Sequence, residues 1–342
     1  MVLVDGSPDE GNSGPAPNSI TVDLQSRFQP ILGFGGGFTQ SSATVFQQLS
    51  VELQNEFLEA YFGDTGIGYS TGRLPINSCD FSPTMYSFDD VTDDYDLVHF
   101  DDSVAQDAAL SIPLILAALN LRPDLKLFGS PWSPPAWMKT NLNMLQGGKL
   151  KPEAGDAWSR YFVKWIAAYE ASGVPIWGVT VQNEPEAAMT WESCLYTAQE
   201  EADFVANHLG PTMRDSFPDV KLLGFDHNKD HIAEWADALM GAGSSAASFM
   251  DGIAFHWYSG SCFDNVAAVA ASFPDKILLP SEACYELTQM SDDAAEDDWL
   301  EQGNWARGEG RQHKHCCEDE VNGCFFFFFF FLTNLLRMRV LT

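Results

Sequence analysis

The stretch W-G-V-T-V-Q-N-E-P-E, residues 177–186, decides how the chain is read. It begins as a strand. Trp177, Val179 and Val181 alternate with Gly178, Thr180 and Gln182, and β-branched residues dominate. Asn183 and Glu184 then arrive together. Pro185 ends the ladder, because proline has no backbone N–H to donate. An amide and a carboxylate therefore stand at the C-terminal end of a buried strand, where α/β barrels keep their chemistry. The plain alternative is a turn glutamate facing solvent.

The same pattern recurs on both sides. Residues 31–38, 66–76, 125–130, 221–226, 252–258 and 277–279 read as further strands. Helical stripes separate most of them, at residues 49–61, 112–119 and 158–169. In the last of these Trp158, Phe162, Trp165, Ile166 and Tyr169 share a face that reads as core, with Asp156 as its cap and Gly173 as its stop. Thr197 and Glu200 form a capping box for another helix, and Asp230 starts one running through Trp235 and Leu239. Strands alternating with helices predict a parallel sheet with crossover helices. Seven strands is one short of a closed eight-stranded (β/α)8 barrel, which takes ~250 residues. The glycine run at 35–37 suggests close backbone packing at the barrel rim and does not fit G-x-G-x-x-G.

Composition narrows the partners. The chain has 342 residues, 45% hydrophobic and 13% aromatic, enough to bury a sizeable core. A net charge of −30 argues against nucleic acid or an anionic membrane as primary partner. Such acidity suits an extracellular, lysosomal or halotolerant setting. The polar opening residues carry no basic start with an apolar run, so no signal peptide is read there. No N-x-S/T sequon occurs. Seven cysteines show neither a disulfide framework nor a paired C-x-x-C zinc site. The acidic run 89–102 reads as a solvated loop.

The end of the chain differs in character. Residues 310–324 have no period, and Phe325 to Phe331 are seven phenylalanines in a row. That run is too short to span a bilayer, which needs ~20 apolar residues. A retained intron or frameshift explains it better than a membrane hairpin, since a T-rich tract translates to phenylalanine. The expected organisation is a disordered leader (1–18), a short segment with one alternating strand at 20–24 (19–30), an incomplete barrel (31–309) and an aberrant tail (310–342).

Two carboxylates end two predicted strands, Glu184 and Glu282, and barrel closure would bring them across one rim. Glycoside hydrolysis needs such a pair: one acid protonates the departing oxygen, the other carboxylate attacks or activates water. Trp132, Trp137, Trp257 and Tyr258 offer aromatic faces to sugar rings. Arg73, Asp80, Asn183 and His256 offer hydroxyl and carboxylate partners. Singly, each has a structural reading: an ion pair, a turn, a satisfied core histidine. Together, at strand ends and the loops after them, they point to one site.

The chain resembles glycoside hydrolase family 30, in its acid β-glucosidase (glucosylceramidase) branch. The likeness rests on F-G-G-G-F-T at 34–39, R-L-P-I-N-S-C-D-F-S at 73–82, S-P-W-S-P-P-A-W-M-K-T-N at 130–141, V-T-V-Q-N-E-P at 179–185, H-W-Y at 256–258, S-E-A-C at 281–284 and W-A-R-G at 305–308. N-E-P alone is common to many related families, whereas the block at 73–82 is far more specific. The resemblance implies a retaining enzyme on a (β/α)8 TIM barrel, with 31–309 as its incomplete catalytic domain, 19–30 as a remnant strand of an accessory β-sandwich, Glu184 as acid/base and Glu282 as nucleophile. Asp80 and Trp132 would hold the terminal glucose hydroxyls and Asn183 the 2-hydroxyl. Arg73, His256 and Tyr258 would orient the carboxylates. A dry, negatively charged site should raise the Glu184 pKa so that it rests protonated. No metal or cofactor is implied. The expected partners are glucosylceramide or another β-glucoside, a lipid-presenting activator protein and a transient membrane surface, in a lysosomal or extracellular setting. A β-1,6-glucanase, and a non-catalytic sugar- or lipid-binding remnant, are the competing readings.

Overall fold

The computed structural model describes residues 29–284 and 328–330. The expected leader, nearly all of the segment 19–30 and nearly all of the tail lie outside them. In chain order the strands are β1 (Gly33–Gly37), β2 (Thr71–Ile76), β3 (Lys126–Pro131), β4 (Gly178–Thr180), β5 (Lys221–Asn228), β6 (Gly252–His256) and β7 (Ile277–Glu282). Each pairs in parallel with the next. The helices between them are α1 (Gln40–Gln48), α2 (Val51–Phe62), α3 (Ala105–Ala109), α4 (Ser111–Leu121), α5 (Gly155–Ala171), α6 (Ala198–Phe204), α7 (Gly210–Ser216), α8 (Ile232–Met240) and α9 (Phe263–Ser272). The architecture is that of a (β/α)8 barrel carried through seven parallel strands. A short eighth strand, β8 (Phe328–Phe330), pairs antiparallel with β1, opposite to the direction a closing barrel strand takes.

Local chemistry explains the elements. Thr39 and Ser50 cap α1 and α2 through their hydroxyls. The capping box Thr197–Glu200 opens α6 as expected. Asp156 does not cap α5. It sits inside the first turn and pairs with His208 at 2.6 Å, while Ala154 holds the cap position without a side-chain bond. The glycine run works as expected. A Cβ on Gly35 would stand 1.9 Å from the Thr71 carbonyl oxygen, so only glycine lets β1 lie this close to β2.

Alternation along the strands sorts the residues into two layers. Leu74, Leu127, Val179, Leu222 and Ile253 join the large core shared with the helices, including Trp158, Trp165 and Tyr169 of α5. Phe128, Leu223, Ala254 and Leu279 form a second, small cluster inside the barrel. The acidic loop 89–102 is not simply solvated. Asp89, Leu97 and Phe100 are buried, and the Asp89 carbonyl accepts a hydrogen bond from Trp137 Nε1 at 2.9 Å. That bond places Trp137 in the core, with its ring edge-on to Tyr95, rather than among sugar-facing aromatics.

Candidate active site

Above the small inner cluster the barrel turns polar, one residue per strand. Arg73 comes from β2, Ser130 from β3, Thr180 from β4, Asp226 from β5, His256 from β6 and Ser281 from β7. All six are buried. A buried charge survives only when paired and hydrogen-bonded, and this layer meets that demand. The Arg73 guanidinium donates through Nε to Ser130 Oγ (3.0 Å) and through Nη2 to Asp226 Oδ2 (2.7 Å) and Asn183 Oδ1 (2.8 Å). Its Nη1 donates to Glu282 Oε2. The guanidinium carbon lies 4.6 Å from the Trp132 ring centroid. Asp226 accepts further bonds from Thr180 Oγ1 (2.6 Å), Ser281 Oγ and His256 Nε2 (3.0 Å).

Asp226 reaches this layer through a bulge. The β5–β6 register shifts between Phe225 and His227, and both Phe225 and Asp226 adopt positive φ. Leu223 faces the barrel interior. Gly224 packs against Leu239 of α8, and Phe225 stacks on Trp235 of the same helix at 5.0 Å. Two successive outward residues turn the next one inward, and that residue is Asp226.

The two glutamates sit just beyond this layer. The ladder of β4 continues past its regular part: Val181 N donates to Leu223 O at 3.0 Å and Asn183 N to Pro131 O at 2.8 Å. At Glu184 the backbone switches to φ 48, and its N–H donates to Asp226 O at 3.0 Å. A non-glycine residue in that region is strained, and such strain gathers at functional sites. His256 Nδ1 lies 3.3 Å from Glu184 Oε1 and 3.9 Å from Glu282 Oε1. Those two carboxylate oxygens are therefore at most about 7 Å apart, close enough for the ~5–5.5 Å separation of retaining glycosidases. Tyr258 donates its hydroxyl to Glu282 Oε1 at 2.9 Å and accepts from Cys284 N at 2.9 Å.

The electrostatics correct one expectation. Burial pushes the Glu184 carboxyl up, but His227, 3.6 Å away, and His256, hydrogen-bonded at 3.3 Å, outweigh it by their contacts and charge and hold the group well below its usual range. His256 moves the other way. Burial opposes its charge, yet Glu282, Asp226 and Glu184 around it raise it to about 9. Asp80 is raised well above the carboxylate range by burial, then by the charges of Glu282 and Glu184, which places it in the same field.

Every residue singled out by sequence except Trp137 falls into this arrangement or its field; Trp257 joins it through its ring, edge-on to Tyr258 at 6.3 Å, and its carbonyl, which accepts from Lys229 Nζ. His256 is fully buried and touches carboxylates. Sequence reasoning missed Asp226 and His227. The rule that found Glu184 would have found Asp226, a carboxylate at the end of a predicted strand.

The profile of the glycosyl hydrolase family 30 TIM-barrel domain matches residues 31–323. The chain belongs to glycosyl hydrolase family 30. The match runs past Glu309, into the segment read as aberrant from sequence. The family-30 chain is 37% identical over 282 residues to the mouse lysosomal acid glucosylceramidase, covering 78% of this chain and 53% of that protein. It is 32% identical over 266 residues to an endo-1,6-β-D-glucanase of Neurospora crassa, covering 75% and 54%. Among solved structures, SrfJ of Salmonella typhimurium superposes with a TM-score of 0.76 at 38% identity, over 83% of this chain and 63% of that one. The chain thus spans about half the length of these curated relatives.

Proposed function

We propose that the chain is the catalytic part of a retaining β-glucosidase acting on glucosylceramide. The observation that carries the reading is the pair of carboxylates held within about 7 Å by one shared histidine. In the first step a Glu282 oxygen attacks the anomeric carbon while the bond to the aglycone oxygen breaks, and Glu184 delivers a proton to that oxygen. Ceramide leaves and a glucosyl ester remains. In the second step water attacks the same carbon, Glu184 takes its proton, and the ester bond breaks to release glucose. Arg73 and Tyr258 bind one Glu282 oxygen each, so the nucleophile is aimed. The proton needed at Glu184 has a source 3.3 Å away on His256, whose Nε2 is anchored by Asp226. Asn183 gives its carbonyl oxygen to Arg73, which leaves its NH2 to meet a sugar hydroxyl. Asp80 and Trp132 complete the glucose-binding side.

Replacing Glu282 by Gln tests the assignment. Turnover should fall roughly a thousandfold or more, with melting near that of the parent. Surviving activity would remove Glu282 as nucleophile. A second reading, a β-1,6-glucanase, draws support from the Neurospora relative. Glucosylceramide and pustulan assayed side by side separate the two. By the mouse relative's name, a lysosomal or extracellular setting fits, with a lipid-presenting activator and transient membrane contact as proposed partners.

A further inference from the structure

Glu184 is bracketed by two histidines, and only one of them is explained by the chemistry above. Glu184 Oε1 lies 3.3 Å from His256 Nδ1 and 3.6 Å from His227 Nδ1. The ligand atoms of all three residues fall within 4.8 Å of one another. His227 Nδ1 is buried and makes no hydrogen bond, although its side chain reaches the surface. In a tetrahedral zinc site with bonds of ~2.0–2.1 Å, neighbouring ligand atoms stand roughly 3.3–3.4 Å apart. Two edges of this triangle are already close to that length, and the third needs to close by at most about 1.4 Å.

The far side of each histidine supports the same conclusion. Zinc-binding imidazoles almost always offer their other nitrogen to a carboxylate, which fixes the ring and raises its basicity. His256 Nε2 faces Asp226 Oδ1 at 3.0 Å. His227 Nε2 faces Glu186 Oε2 at 3.9 Å, and Glu186 is itself held by His231 at 2.9 Å. Two nitrogens and one carboxylate oxygen, each with a carboxylate behind it or in reach, make a borderline-soft donor set for zinc. Three protein ligands leave a fourth position open, as in catalytic zinc sites.

We propose that Glu184, His227 and His256 form an inhibitory zinc site, in which a bound Zn2+ occupies the carboxylate that would otherwise exchange protons with the glycosidic oxygen. The ion is not a cofactor for turnover. It competes with it, because a metal-bound Glu184 can neither give nor take the proton. The inhibition rests on the role proposed for Glu184. The binding does not.

The two are therefore measured separately. Isothermal titration of the full chain with ZnCl2 should show one saturable site, reversed by EDTA. His227→Asn and Glu184→Gln should each weaken that binding by roughly 10–100-fold, the size of effect that disturbing a metal shell produces. Glu282→Gln should leave it within about threefold, since Glu282 supplies no ligand. Cobalt substitution gives an independent readout: intense visible d–d bands without thiolate charge transfer. His313, Cys316 and Cys317 are a rival donor set in the sequence. Stoichiometric binding that survives His227→Asn and is lost in Cys316→Ser with Cys317→Ser would overturn the proposal, as would no saturable binding at all. If zinc binds as described yet leaves cleavage of an aryl β-glucoside unchanged, the site stands and the role of Glu184 falls.

Discussion

Arg73 and Asp226 show what one residue does when it is the meeting point of several strands. Both side chains are almost without solvent contact, and each has more than one partner. Taking two charges out of water is costly, and their attraction repays it only when the geometry is good. Breaking such a pair costs about 3–5 kcal/mol, because the survivor is left buried and unmatched. Asp226→Asn should therefore lower stability by roughly 3 kcal/mol or more and turnover by ~100-fold or more, since it also frees the His256 ring. Thermal melting and kcat on an aryl β-glucoside check both parts. A variant that loses stability with full activity would make Asp226 purely structural. Glu184 and Glu282 were legible as strand-end carboxylates. The depression of Glu184 was not, because it comes from His227 and His256, both more than forty positions along the chain.

At the scale of elements, the sequence carried strand order well and exceptions to pattern poorly. The seven parallel strands fall where the sequence pattern predicts them, because most are buried on both faces and read as short apolar runs between helices. The β5 bulge has no local mark. It exists because α8 holds Phe225 outward through Trp235, which is a tertiary demand. The failed Asp156 cap has a similar cause: His208, two helices on, takes the carboxylate. Helix α6 carries a prediction of its own. Glu201 is fully buried, and its Oε1 accepts from Phe225 N at 2.8 Å at that same bulge. Burial, with the charge of Asp226, pushes its pKa from 4.5 up to about 8. A group raised in the folded state adds stability in full below its unfolded value, and loses it as pH climbs through the folded one. Between pH 4.5 and about 8 this carboxyl should therefore cost roughly 1.4 kcal/mol per pH unit as it is approached by base. Glu201→Gln keeps the acceptor and removes the titration. Its melting temperature should fall less between acid and neutral pH than that of the parent. Parallel melting curves for the two proteins would refute this.

The whole molecule has one weak line, the seam between its first and last parallel strands. Every polar residue of the site's buried layer sits on β2 to β7, and Ser281 and Glu282, on β7, border that seam. Among the described residues, the hydrogen-bonded order ends at β7 on one side and at β8 on the other, and β8 runs antiparallel beside β1 for three residues. A barrel gains its stability from closure, which removes edges and covers the inner core. Here the inner cluster includes Leu279 of β7, and β8 lies beside β7 as well as β1 without a hydrogen-bonded ladder to β7. We expect this seam to be the least stable part of the barrel. Amide exchange should locate the defect: β1 and β7 losing protection first, β3 to β5 last. Glu282 is carried by β7, so fraying there would release the proposed nucleophile from Arg73 before the rest of the site is disturbed. Exchange in β7 as slow as in β4, with cooperative melting and full glucosidase activity, would show that the seam is closed by residues beyond the described strands.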